Sequence, residues 1–254
     1  MADPIYGRTQ TITRAAEIDE GLRAYMNKVY ALMAGAMIIT GLVAYVVGMD
    51  VNAVVHGQAP TLLSAGAIHA MFGSPLRYVI IFAPLAVVFG LSAGINRISA
   101  STAQTIFWVF SGLIGLSIST IFAIYTGMSI AETFLVTAIA FGGLSLYGYT
   151  TKKDISGWGA FLIMGVIGLI VASLVNMFLM SAALQWAVSF LGVLIFAGLT
   201  AYDTQRIKNT YLAMRSTPGG EVYLEKGAVM GALNLYLDFL NMFLFLLQFM
   251  GNRN

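Results

Sequence analysis

The sequence predicts an all-α protein built into a membrane as a bundle of seven helices. Three observations carry this. The 254-residue chain is 59% hydrophobic and 9% charged, with mean hydropathy +0.84, whereas soluble domains carry about 25% charged residues. Seven apolar runs each reach the roughly 20 residues that cross a bilayer core. Lysine and arginine gather in alternate segments between those runs, as they do where a chain threads back and forth.

The runs are 29–49, 76–95, 104–126, 130–149, 158–179, 184–201 and 228–250. They are read as one transmembrane domain over 29–250, preceded by a cytoplasmic tail over 1–28. The tail is polar and mixed in charge, without the short apolar core and small-residue cleavage site of a signal peptide, so the first span is expected to direct insertion. Within it Ile18, Leu22, Tyr25 and Met26, continuing to Val29, share one helical face, with Glu17, Asp19, Glu20 and Arg23 largely elsewhere. This predicts an interfacial helix leading into the membrane.

With the N-terminus inside, the cytoplasmic segments hold Arg8, Arg14, Arg23, Lys28, Arg97, Lys152, Lys153, Arg206, Lys208, Arg215 and Lys226. Only Arg77 and Arg253 fall on the other side, which favours a cytoplasmic N-terminus. Seven spans then put the C-terminus outside, unless the last segment is re-entrant. Ser101 with Gln104 and Ser129 with Glu132 have capping-box spacing at the third and fourth spans. Gly112/Gly115, Gly142/Gly143, Gly165/Gly168 and Gly192/Gly198 are candidates for close helix approach. Ser117 and Ser119 are expected to bond back to their own helix.

Several functions are excluded or disfavoured. The chain has no cysteine, hence no disulfide, thiolate metal site or thiol nucleophile. A net charge of +2 without a basic cluster gives no case for nucleic acid. His56 and His69 both lie in the 50–75 loop, so neither an intramembrane serine–histidine pair nor an HExxH zinc site is available. Asp203 and Asp238 follow Tyr202 and Leu237, not the glycine of intramembrane aspartyl proteases. The protein is not read as an enzyme, and no tightly bound cofactor is expected.

The functional signal lies in the last two spans. Asp238 interrupts "LNLYLDFLNMF", and an ionisable group near mid-bilayer costs about 2.5–3.5 kcal/mol and marks a pathway or proton site. Asn234, Asp238 and Asn241 recur at i, i+4 and i+7, which makes one polar stripe of pore-supporting amides around a carboxylate. Asp203 closes the sixth apolar run in "GLTAYDTQRIK", where Arg206 at i+3 can pair with it and the helix dipole opposes it. The sixth and seventh spans are antiparallel, so the two aspartates can share one half of the bundle. Two close carboxylates do not both ionise cheaply, so such a pair is a candidate pH sensor. Deprotonated, with amide oxygens nearby, it is a candidate site for calcium. Arg97 in "GINRIS" is either a counter-ion or a snorkelling anchor.

"GLSISTIFAIYTGMSIAETF", "FGGLSLYGYTTKKDISGWG", "FAGLTAYDTQRIK" and "NLYLDFLNMFLFLLQ" resemble the Bax inhibitor-1 family (transmembrane Bax-inhibitor-motif proteins) in its bacterial branch, over about residues 25–250. The resemblance implies six helices around a central C-terminal helix, in a bacterial inner membrane. It implies a pH-dependent calcium leak gated by a di-aspartyl pair, here Asp203 and Asp238, with calcium and protons as its ions. It also implies a second-helix arginine latch, for which Arg97 is the candidate. The alternative it offers is a regulatory protein that binds a membrane-bound AAA protease, through the tail or the mixed-charge 203–227 loop.

Overall fold

The computed structural model describes residues 4–254, with side chains described from Glu20 onward. Among the described residues nine helices follow one another: α1 (Pro4–Val55), α2 (Ala65–Phe72), α3 (Leu76–Gly94), α4 (Ala100–Ile118), α5 (Ile121–Ile124), α6 (Gly127–Thr150), α7 (Trp158–Leu179), α8 (Ala182–Met214) and α9 (Gly220–Met250). Seven helical stretches are long and apolar enough to cross a membrane, α4 and α5 together forming one of them.

α9 is the axis of the bundle: 61% of its most apolar window is buried, against 11% for α3 and for α7. It packs chiefly on α8, and also on α1, α6 and α4; α3 is held by α4, and α7 by α8. Tyr236 on α9 is fully buried, edge-on to Phe107 and Phe110, and shares a 2.7 Å hydrogen bond with Thr40 of α1. At 31 residues α9 is about 46 Å long, enough to cross completely. The chain beyond it docks on the α5–α6 linker through an antiparallel bridge between Tyr125 and Arg253 and a bond from Asn252 N–H to Ser129 Oγ. The last helix is therefore long enough to cross without re-entering, and the C-terminus sits on the face that holds the α5–α6 linker.

Four sequence expectations are corrected. α8 runs to Met214, not to 201, so the expected 203–227 loop shrinks to 215–219. The polar extension is held by neighbours: Gln205 Nε2 donates to Lys153 O at 2.7 Å, and Lys208 Nζ to Tyr149 O at 2.7 Å. The first span begins well before residue 29, as one helix. In the described part of 1–28, Leu22, Tyr25 and Met26 lie in the protein core, with Tyr25 5.1 Å from Tyr211 on the α8 extension, so this face meets protein and not the membrane interface. Ile18 and the residues before it lie outside the described side chains. The N-caps are Ser99 and Thr126, not Ser101 and Ser129: Thr102 N–H donates to Ser99 Oγ, and Ser129 N–H to Thr126 Oγ1. Glu132 is thus an exposed residue inside α6, with no cap to serve. Of the small residues, Gly115, Gly165, Gly192 and Gly198 sit in close crossings, while Gly112, Gly142, Gly143 and Gly168 border open space. The expected back-bond is found at Ser119, which donates to Leu116 O.

Asp50, taken at sequence level as the start of a loop, instead organises that loop from within α1. Its carboxylate is 98% buried (2% exposed) and accepts three backbone N–H groups, from Thr61 (2.6 Å), Leu62 (2.9 Å) and Leu63 (2.7 Å). Asp50→Ala leaves those donors without partners. Limited proteolysis should then cleave within 56–63 much faster than in wild type; an unchanged digestion pattern would refute this role.

Candidate functional site

The α8–α9 contact sets where the two aspartates meet. A Cβ added to Gly231 would lie 3.1 Å from Ile207, and one added to Gly192 would lie 2.6 Å from the Phe245 ring. In an antiparallel pair the two contacts agree on the register to within one residue, with Asp203 level with Leu235 or Asn234 and Asp238 level with Thr200 or Leu199. The carboxylates are therefore offset by three or four residues, about 4.5–6 Å along the axes.

The two environments differ. Among the described residues the one ion pair is Arg206 Nη1 to Asp203 Oδ1 at 3.4 Å, with the Asp203 side chain 11% and that of Arg206 56% exposed. The α8 segment that carries Asp203 is tied on several sides. Tyr30 and Ser145 share a 2.7 Å hydrogen bond, Ser145 and Thr204 one of 3.0 Å, and Ile155 N–H donates to Gln205 Oε1 at 3.0 Å. Asp238 is 4% exposed and its Oδ2 is buried without a hydrogen-bond partner among the described residues. A buried polar atom of this kind costs about 1–3 kcal/mol, and more when charged. The site thus has one tethered carboxyl and one that lacks a protein donor.

Arg97, the latch candidate from sequence, is exposed in the turn after α3, and the guanidinium at Asp203 is that of Arg206. Asn234 and Asn241 are half-buried on α9; Asn241 Nδ2 donates to Leu237 O at 2.8 Å. Asp203 lies eleven residues inside α8, so the helix-end dipole expected at that position does not act on it. Among the described residues no group of three or more His, Asp or Glu side chains converges as a metal cage. The pair offers two carboxylates and one mobile cation, an arrangement that can exchange a proton or attract a divalent ion in passing.

Beside the pair, the α6–α7 linker carries Asp154, whose carboxylate accepts from Ser156. The Ser156 hydroxyl and N–H hold it below the usual carboxylate range. A depressed pKa contributes stability above the unfolded value that is lost as pH falls through the folded one. The linker should therefore loosen in acid, seen as faster amide exchange at 153–157 below about pH 4.

Sequence reading missed a second polar group on this helix. Asn176 of α7, Gln185 and Ser189 of α8 and Gln248 of α9 form a connected chain, with Asn176 Nδ2 donating to Gln185 Oε1 at 3.1 Å and Gln185 Nε2 to Gln248 Oε1 at 2.8 Å. The available signal was Gln248, seven residues after Asn241 and so on the same stripe.

The family described as "Inhibitor of apoptosis-promoting Bax1" matches residues 22–254. The Inner membrane protein YbhL of Escherichia coli is 44% identical over 236 residues, covering 92% of this chain and 93% of its own length. An uncharacterized protein of Caulobacter vibrioides is 44% identical over 252 residues, covering 97% and 96%. Another, from Rickettsia prowazekii, is 43% identical over 249 residues, covering 96% and 98%. With nearly the whole chain matched and relatives this similar along their full length, the protein belongs to the Bax inhibitor-1 family.

Proposed function

We propose that the protein is a pH-sensitive calcium leak of a bacterial inner membrane, gated by Asp203 and Asp238, with its N-terminus and the 215–219 turn on the cytoplasmic side. The observation that carries this reading is the buried, unpartnered Oδ2 of Asp238, one helical turn from a carboxylate held by a half-exposed arginine. Such an oxygen is stabilised by a proton, by a donor that swings in, or by a passing cation. Arg206 is the closest candidate for that donor. When the pair is deprotonated, it draws the guanidinium or calcium inward. When it is protonated, the attraction weakens and α9 is freer to shift against the tethered α8. The inner-membrane assignment draws on the similarity to YbhL, an inner membrane protein, and the sidedness on the lysine and arginine distribution.

The test is calcium flux into proteoliposomes between about pH 5.5 and 8. Wild type should leak in a pH-dependent way, and Asp203→Asn and Asp238→Asn should each flatten the profile. Wild type without flux, or variants with an unchanged profile, would sink the mechanism. The reading would then pass to a regulatory protein that binds a membrane AAA protease, checked by co-purification.

A further inference from the structure

A cavity of about 420 Å³ lies between α7, α8 and α9, and it shares Asn176, Met177, Gln185 and Gln248 with a second, of about 470 Å³, at the C-terminal face. Polar groups line it from rim to floor: Asn176, Gln185 and Gln248 near the helix ends, Ser173 on α7, and Asn241 deepest on α9. Asn176 is buried at 9% exposure despite its amide, and its Oδ1 accepts from Ser181 N–H at 3.0 Å. The bonds among Asn176, Gln185 and Gln248 hold the rim open as a built frame. Asn241 turns its Nδ2 to its own helix, and its oxygen takes no partner from the described residues. No residue lining this inner cavity is charged, and the one charge at its mouth is Arg253.

The placement relative to the aspartates gives the cavity a role. Asn234, Asp238, Asn241 and Gln248 form one stripe on α9 that rises about 21 Å, most of a roughly 30 Å hydrocarbon core. From the cavity floor at Asn241 to Asp238 is three residues, about 4.5 Å. At about 30 Å³ per water the cavity volume exceeds the six to eight oxygens that surround a calcium ion. The apolar wall that narrows it is Phe245, seated over Gly192.

We propose that this cavity is a hydrated, uncharged vestibule that admits a divalent cation from the C-terminal face to Asp238, its amide oxygens standing in for hydration waters. The proposal rests on the leak reading for its ion, and adds the route and the side of entry. Neutral amides suit a path better than a trap, because a cation must leave as readily as it enters.

The cysteine-free chain makes the test direct. Ser173→Cys, Asn241→Cys and the lipid-facing control Leu174→Cys, each in the full chain in vesicles, are treated from the C-terminal face with a cationic, membrane-impermeant thiol reagent. Labelling is followed by mass. Cysteines in water react as thiolates, so positions 173 and 241 should label at least ~tenfold faster than 174, and calcium should slow labelling at 241. Asn241→Cys as unreactive as Leu174→Cys, or labelled at a rate that calcium leaves unchanged, overturns the vestibule. Because labelling is read without flux, wild-type vesicles that leak no calcium would remove the leak reading alone.

Discussion

In Asp238→Asn, calcium flux should lose its pH dependence, and the protein should become more heat-stable than wild type above neutral pH. The two effects share one cause. Asp238 is 4% exposed and its Oδ2 has no donor among the described residues, so the ionised form carries a desolvation penalty. An amide keeps the shape and removes the charge, at the expense of an N–H₂ that needs partners of its own, worth about 1–3 kcal/mol. The stability gap should therefore be largest where the wild-type carboxyl is ionised and should close as pH falls and it takes up a proton. Asp203→Asn should flatten the flux profile too, with a smaller stability change, because Asp203 already has Arg206 at 3.4 Å. Thermal unfolding of both variants across pH tests this; a stability gap for Asp238→Asn that is constant with pH would mean that burial does not change how the carboxyl titrates, and would refute the penalty.

Gly148→Ala should destabilise the bundle by about 3 kcal/mol, at the upper end of the overpacking range. The added Cβ would run into the backbone carbonyl oxygen of Ala201 and lie 3.0 Å from its carbon, and a backbone cannot rotate aside as a side chain can. The only relief is separation of α6 from α8, two residues from Asp203 and beside the Ser145–Thr204 hydrogen bond. Gly142→Ala is the matched control. It lies on the same helix, six residues earlier, and its Cβ meets nothing within 4 Å. That change should be neutral to about 1 kcal/mol stabilising, since alanine is the better helix former. Equal melting temperatures for the two variants would mean that the α6–α8 crossing is looser than the geometry requires.

The division between what was legible in the sequence and what was not follows a physical line. Spans bounded by abrupt polarity changes were read almost to the residue: 76–95 against Leu76–Gly94, and 158–179 against Trp158–Leu179. α8 was cut short because residues 202–214 are polar, and hydropathy does not register a helix held by Gln205, Lys208 and Tyr211 through partners more than fifty residues away in sequence. The glycine spacing picked out four real crossings yet passed over Gly148, since which face of a helix meets backbone is not encoded in its own periodicity.

By itself, then, the sequence determined the number of spans, the two buried-region carboxylates and the stripe from Asn234 to Asn241, because composition and helical period are local properties. Tertiary structure alone decided the rest. The α8–α9 register offsets Asp238 from Asp203 by one turn, and three helices bring Asn176, Gln185 and Gln248 to one cavity rim. Each of these depends on how side chains of different helices interlock, and the buried Asp238 oxygen is left without a donor because that interlocking brings none to it.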